Sequence, residues 1–302
     1  MSDHVTSKSP SLEALTACIR EAFPRLDFSQ AELVDSGDDN LVVILDGERV
    51  VRFPRNAEYR DRFVAELNLL STLGPISPVP VPRYDQVCRD RSVGTYRFIK
   101  GRQMTPEVFS AMAPEDRKAV LSSLAAFLSI LHSLPAETIA QPDGSIARTW
   151  SGEQFATLYR GVRRAGIARI VSAHTLARFD AFHDAFETVA QGAARLTHDD
   201  LSEDHILVRD SRIAGIIDFS DASFGDPAID FGWFWRLGEQ NVDLLLRDYR
   251  FASDDASLKT RSHWTYVRYM INQLWYGLKG KWDLTTEQTL AALEPHLKRL
   301  GF

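Results

Sequence analysis

The sequence predicts an α+β protein of two lobes, a small β-rich one followed by a larger, mostly helical one. Three observations carry this expectation. Two β-rich runs, Leu41–Leu45 and Val50–Phe53, flank Asp46-Gly47, a pair whose backbone suits the tight turn of a hairpin. Up to about residue 100 the order is helix, strands, helix, strands, as in a compact α+β unit. Beyond Lys100-Gly101 apolar residues recur mainly at helical spacing. The expected lobes are therefore residues 1–100 and 101–302, with Lys100-Gly101 as the hinge.

Each element has a local reason. Ser9-Pro10-Ser11 opens a helix with Leu12, Leu15, Ile19 and Phe23 on one face, and Pro24 closes it. Phe63, Leu67 and Leu70 mark a second helix between Glu58 and Leu73. Pro75, Pro78, Pro80 and Pro82 then forbid continued helix and require an extended connection. A second hairpin is expected from Tyr84–Val87 and Gly94–Ile99. In the second lobe Pro114 sits in a first helical turn, followed by Leu121, Leu124, Phe127, Leu128 and Leu131 on the apolar face. Helices are expected near 154–165 and 174–190, a short β region over Arg195–Asp218, and further helices over Pro227–Phe302.

Composition narrows the function. The 302 residues are 44% hydrophobic and 25% charged, enough to build a substantial core. Lys plus Arg (35) against Asp plus Glu (41) leaves a net charge of −6, which argues against a nucleic-acid binder. Cys18 and Cys88 form neither a disulfide framework nor a C-x-x-C zinc pair. The N-terminus lacks a basic region followed by an apolar run, and no apolar stretch approaches a membrane span. A cytoplasmic monomer is expected.

The chemistry concentrates between His198 and Asp230. Nine acidic residues fall in this stretch, opposed only by Arg209 and Arg212. Carboxylates so dense repel one another unless they face water or share a cation. Solvated loops and helix caps account for Asp210, Glu203 and Asp204. Asp218 is different, because it ends the apolar run Ile213-Ala214-Gly215-Ile216-Ile217, where a carboxylate needs a partner such as a metal ion. Phosphoryl transfer uses such a set: one carboxylate to orient or deprotonate a hydroxyl, and one or two ligands for Mg2+ against a triphosphate.

His198-Asp199-Asp200-x-x-x-x-His205, followed by Ile217-Asp218-Phe219 and Gly225-Asp226-Pro227-Ala228-Ile229-Asp230, resembles the kinase-like antibiotic phosphotransferases. Among these the aminoglycoside 2''-phosphotransferases come first and the macrolide phosphotransferases second. The resemblance implies a protein-kinase-like fold, ATP or GTP as phosphate donor, Mg2+, and an antibiotic acceptor. It makes Asp200 the catalytic carboxylate and His205 and Asp218 the metal ligands. Arg52, in Val51-Arg52-Phe53, takes the place of the phosphate-binding cation, often Lys in such kinases, with Arg55 as a second candidate. Glu66 takes the place of its ion-pair partner. Ser36 and Asn40 bound a stretch resembling the nucleotide-positioning loop, and Phe98-Ile99-Lys100 resembles the linker that pairs with the purine. His205 stands where Asn is usual, as it does in the 2''-kinases and macrolide kinases.

Other residues have plainer readings. Asp199 braces the catalytic loop, His198 is structural, and His132 packs or caps the helix it ends. Asp226 and Asp230 suit loop fixing and helix capping. On the acceptor side, Asp230, Glu239, Trp275 and Tyr276 are the candidate contacts, because acids with aromatics suit a cationic sugar. Phe155–Arg163 and Leu274–Leu278 resemble segments of the aminoglycoside branch, whereas Phe231, Trp233, Phe234 and Trp235 suit a core or an apolar macrolide pocket. Two other classes compete: a metal-dependent hydrolase using His198, Asp200, His205 and Asp218, and an idle kinase-like binding module.

Overall fold

The computed structural model describes residues 10–35, 39–282 and 284–302. Helix α1 (Leu12–Ala22) starts at Ser11, whose hydroxyl accepts from the Ala14 amide, and buries Leu15 and Ile19. Strands β1 (Ala31–Val34), β2 (Asn40–Leu45) and β3 (Arg49–Pro54) follow, then α2 (Ala57–Leu73), β4 (Tyr84–Cys88) and β5 (Val93–Arg97). They form one antiparallel sheet in the order β1-β2-β3-β5-β4, with β3 at its centre. The β2–β3 turn places Asp46 and Gly47 at φ of 50° and 63°, the left-handed pair that the sequence predicted. Asp46 also ties the hairpin to the chain before β1, accepting from the Gln30 amide at 2.7 Å and the Ser29 hydroxyl at 2.8 Å.

The second part begins with β6 (Arg102–Gln103), α3 (Pro106–Ser110) and α4 (Pro114–Leu131). The helix expected near 154–165 is broken into α5 (Gly152–Leu158), a π-helical turn over Tyr159–Arg163, and α6 (Arg164–Ile167). A capping box of Ser151 and Gln154 fixes its start. Helix α7 (Ala173–Phe186) precedes four short strands: β7 (Arg195–Thr197), β8 (Ile206–Arg209), β9 (Arg212–Ile216) and β10 (Ser223–Gly225). β7 pairs with β10, and β8 lies between β6 and β9. Helices α8 (Glu239–Asp248), α9 (Leu258–Gly277) and α10 (Thr286–Leu300) complete the chain. No helix among the described residues is long and apolar enough to cross a membrane.

The apolar interior is two clusters. The smaller joins α1 to the sheet through Ile19, Val43, Val51 and Phe53. The larger fills the helical part around Phe127, Phe182, Phe219 and Phe234, and it also takes in Leu69, Leu70 and Leu73 of α2. Helix α2 therefore carries a charged residue to the sheet while its apolar face is held by the other core. Phe231, Trp233, Phe234 and Trp235 are all buried, which makes them core. The proline-rich connection is a strap, since the Pro80 carbonyl accepts from the Ile216 amide at 3.0 Å. Gly215 lets the linker close on β9, because a Cβ there would meet the Ile99 side chain at 2.7 Å.

Buried neutral histidines make this fold acid-sensitive. Burial holds His183, His198 and His263 down at about 4. His183 stacks on Tyr159 with ring centroids 3.7 Å apart, and its Nδ1–H donates to the Phe179 carbonyl at 2.9 Å. Because the unfolded chain binds these protons from pH 6.5 downward, stability is complete above that pH and is lost on the way to pH 4. Each group costs about 2 kcal/mol at pH 5 on this basis. The melting temperature should therefore fall steeply between pH 7 and 5, and His183→Gln should flatten the slope. Equal slopes in both proteins would contradict the assignment.

Candidate active site

Arg52 sits at the middle of the central strand, opposite Val42 and Gly94, and is only 3% exposed. A guanidinium so buried needs carboxylates, and it has two. Its Nη1 donates to Glu66 Oε1 of α2 at 2.6 Å, and its Nη2 to Asp218 Oδ1 at 2.8 Å. Asp218 follows β9 with a φ of 62°, a left-handed conformation that costs a non-glycine residue of order 1 kcal/mol or more. The Ser220 hydroxyl donates to the same Oδ1 at 2.8 Å. Asp218 Oδ2 is turned instead toward His205, 3.8 Å from Nε2.

The loop between β7 and β8 carries the other groups. Its backbone is gripped by one fully buried carboxylate: Asp230 Oδ2 accepts from the His198 amide at 2.8 Å, and Oδ1 from the Asp199 amide at 2.9 Å. His132 braces that carboxylate through Nε2 at 3.0 Å and bonds the Tyr249 hydroxyl through Nδ1 at 2.7 Å. Asp199 has a φ of 67° and accepts from the Ser223 hydroxyl at 2.6 Å, so it faces β10 and not the cleft. His198 Nε2–H donates to the Ile217 carbonyl at 3.1 Å, joining the loop to the residue before Asp218. Asp200 comes next, with half of its side chain open to solvent.

His205 connects the two carboxylates. A carbonyl can only accept, so the 2.6 Å contact between His205 Nδ1 and the Asp200 carbonyl puts the proton on Nδ1. The Asp200 and Asp218 carboxylates raise the ring's pKa against its burial, so Nε2 faces Asp218 Oδ2 as a donor when protonated and would offer a lone pair only to a cation that displaces that proton. This converging pair is a two-donor seat. Among the described residues no group of three or more His, Cys, Asp or Glu is assembled for a metal. Where phosphate and water complete its shell, Mg2+ needs one or two protein ligands, and Asp218 Oδ2 with His205 Nε2 would be such a pair.

The electrostatics separate the carboxylates by role. Burial pushes Asp218 up, but Arg52 and then His205 outweigh it and hold the group well below the usual carboxylate range. Asp200 moves the other way, raised by its desolvated surroundings against the pull of His205. Burial also raises Asp199 to about 7 and Asp221 to about 6. Glu66 rises to about 7 by burial despite Arg52. Asp218 is thus the more firmly ionised of the two, and Asp200 the more basic.

Residues 30–267 match the family model described as the APH phosphotransferase enzyme family. The chain belongs to that family. Among solved structures it resembles a GDP and kanamycin complex of an APH(2'') enzyme, with a TM-score of 0.76 at 22% identity over 95% of this chain and 99% of that one. A streptomycin–ATP complex of APH(2'')-IIa gives a TM-score of 0.65 at 19% identity, over 89% and 92% of the two chains. Macrolide 2'-phosphotransferase MphH from Brachybacterium faecium gives 0.61 at 22% identity, over 94% and 99%. The likeness to aminoglycoside and macrolide enzymes together places this phosphotransferase on their two-lobed, kinase-like fold.

In this phosphotransferase the remaining sequence candidates divide. Arg55 donates to Asp35, whereas Arg52 is held between Glu66 and Asp218. Asn40 opens β2, buried, opposite Pro54. Ser36 lies outside the described residues. In the linker the Phe98 amide is taken by the Glu48 carbonyl at 2.8 Å, and Lys100 pairs with the Glu48 carboxylate. The Ile99 and Lys100 backbone groups make no backbone–backbone hydrogen bond among the described residues.

Two of the four candidate acceptor contacts are corrected by the structure. Asp230 is fully buried and spends both oxygens on the catalytic loop, so it does not meet a substrate. Glu239 is bonded to Arg299 and Lys259, at the start of α9. Trp275 and Tyr276 lie 16 residues further along that helix, about 24 Å at 1.5 Å per residue, so Glu239 shares no pocket with them. Sequence reasoning missed Asp221, which accepts from Arg62 of α2 at 2.8 Å beside the metal seat. It also missed Arg268 and Tyr269 of α9, which lie within electrostatic reach of Asp199 and Asp200 respectively. Nothing local in α9 marked them.

Asp230→Ala should release both loop amides and strand His132. A loss of about 2–4 kcal/mol is expected, read from the urea midpoint. An unchanged midpoint would show that the loop holds itself.

Proposed function

We propose that this protein transfers the γ-phosphoryl group of ATP or GTP to a hydroxyl of a small molecule, with Mg2+ held by Asp218 and His205 and with Asp200 as the catalytic carboxylate. The observation that supports this most is the convergence of Asp218 Oδ2 and His205 Nε2 while Arg52 holds the other oxygen of Asp218. Bound there, Mg2+ supplies neutralising charge between the phosphates of the donor. Arg52 adds a fixed positive charge at the floor of the cleft, oriented by Glu66. Asp200, half exposed and raised in basicity, orients the acceptor hydroxyl and takes its proton as the phosphate bond forms. The Ile99–Lys100 backbone offers the base-reading edge.

The acceptor is the finer question. The sequence resemblance favours an aminoglycoside ahead of a macrolide, and related structures are complexes with kanamycin, gentamicin and streptomycin. The acids that reading relied upon, Asp230 and Glu239, are committed elsewhere, so the structure gives it less support than the sequence did. Every group in the proposed mechanism comes from one chain, consistent with a monomer, and the cytoplasm supplies ATP, GTP and Mg2+.

Asp200→Asn tests the mechanism. Nucleotide affinity should stay within about threefold while phosphoryl transfer falls about 10²–10⁴-fold, measured as γ-phosphate leaving labelled nucleotide. Near-normal turnover would remove Asp200 from the reaction.

A further inference from the structure

Beside the catalytic loop, a cavity opens between the α5–α6 segment, α7 and α9. Its walls include Phe155, Tyr159, Arg163, Arg268 and Asn272, and none of its lining residues is acidic. An adjoining cavity shares Phe155 and Arg268, and its single acid, Asp226, is neutralised by Arg261 at 2.7 Å. The two arginines stand out against their neighbours. Arg160 and Arg164, on the same segment, reach carboxylates of α7 and the residue after it: Asp184 and Glu187 for one, Asp180 for the other. Arg163 instead donates to the neutral Asn272 amide and lies 5.7 Å from the Tyr276 ring centroid. Arg268 lies 3.7 Å over the Phe155 ring, and its Nε is buried without a partner. Among the described residues neither arginine has an ion pair.

Half-buried cations that no carboxylate meets in a direct ion pair cost stability, and an anionic ligand in contact with them offsets that cost. Burial depresses both guanidinium groups; at Arg268 the Asp199 carboxylate works against that and Arg163 adds to it. A polycationic sugar brought here would add to that repulsion.

We propose that the acceptor carries an oxyanion, a carboxylate or a phosphate, received by Arg163 and Arg268 beside the Phe155 ring, with its hydroxyl directed toward Asp200. The acceptor class becomes a small anionic hydroxy compound such as a sugar acid or sugar phosphate. The inference rests on the phosphotransferase reading above and replaces only its acceptor.

The test is calorimetric titration of the full chain, saturated with Mg2+ and a non-hydrolysable ATP or GTP analogue so that the donor phosphate site is filled. The probes are glucuronate, glucose 6-phosphate, methyl glucoside and kanamycin. One or both anionic sugars should bind at least about tenfold tighter than methyl glucoside and kanamycin, and which one does identifies the anion. Arg268→Met and Arg163→Gln should each abolish that preference, and Arg163→Lys should restore part of it. Two separate variants guard against one that fails to fold. Tighter binding of kanamycin, no preference for either anion, or a preference kept in both variants would overturn the proposal. Failure of both nucleotide analogues to bind would overturn the phosphotransferase reading and this inference with it.

Discussion

The structure depends on the buried guanidinium of Arg52. A charge this deep in the central strand is tolerable only if carboxylates come to it, and the two that come are far apart in sequence. Glu66 is delivered by α2, whose apolar face belongs to the helical core. Asp218 is delivered by the end of β9, strapped to the proline-rich connection through Pro80. One side chain therefore fixes the sheet, the helix and Asp218 relative to each other. The left-handed backbone at Asp218 is sustained by that surrounding framework.

A second carboxylate does for the catalytic loop what Arg52 does for the cleft. Asp230 replaces the hydrogen bonds that a short, irregular loop cannot make with itself, and His132 and Tyr249 extend its support into the core. The loop can then turn Asp199 toward β10 and present Asp200 to the cleft. His205, whose Nδ1 donates to the Asp200 carbonyl, links Asp200 to Asp218. Crowded acids are thus held apart by different partners: Arg52 for Asp218, Ser223 for Asp199 and two loop amides for Asp230.

Much of this was legible in the sequence where the cause is local. The Asp46-Gly47 turn, the Ser11 cap, the prolines after α2 and the first turn at Pro114 follow from backbone chemistry within a few residues. The order and spacing of His198, Asp200, His205 and Asp218 pointed to phosphoryl transfer because that chemistry needs those groups together. What was not legible depends on distant pairing. Asp230 suited both a loop brace and a substrate contact, and only its burial against two amides decides between them. The π-helical turn after α5 interrupts a pattern that reads as one helix. Arg163 and Arg268 are more than 100 residues apart, and nothing near either one shows that no carboxylate would reach it.

The central claim is that Glu66 acts by positioning Arg52 for the phosphates of the donor. The most direct measurement is a double-mutant cycle on Mg2+–nucleotide affinity, combining Glu66→Gln with Arg52→Met. Glu66→Gln should weaken binding when Arg52 is present and have little further effect once Arg52 is gone, a coupling of about 1–3 kcal/mol. Equal losses in both backgrounds would mean that the two residues act independently and that the buried pair does not organise the site.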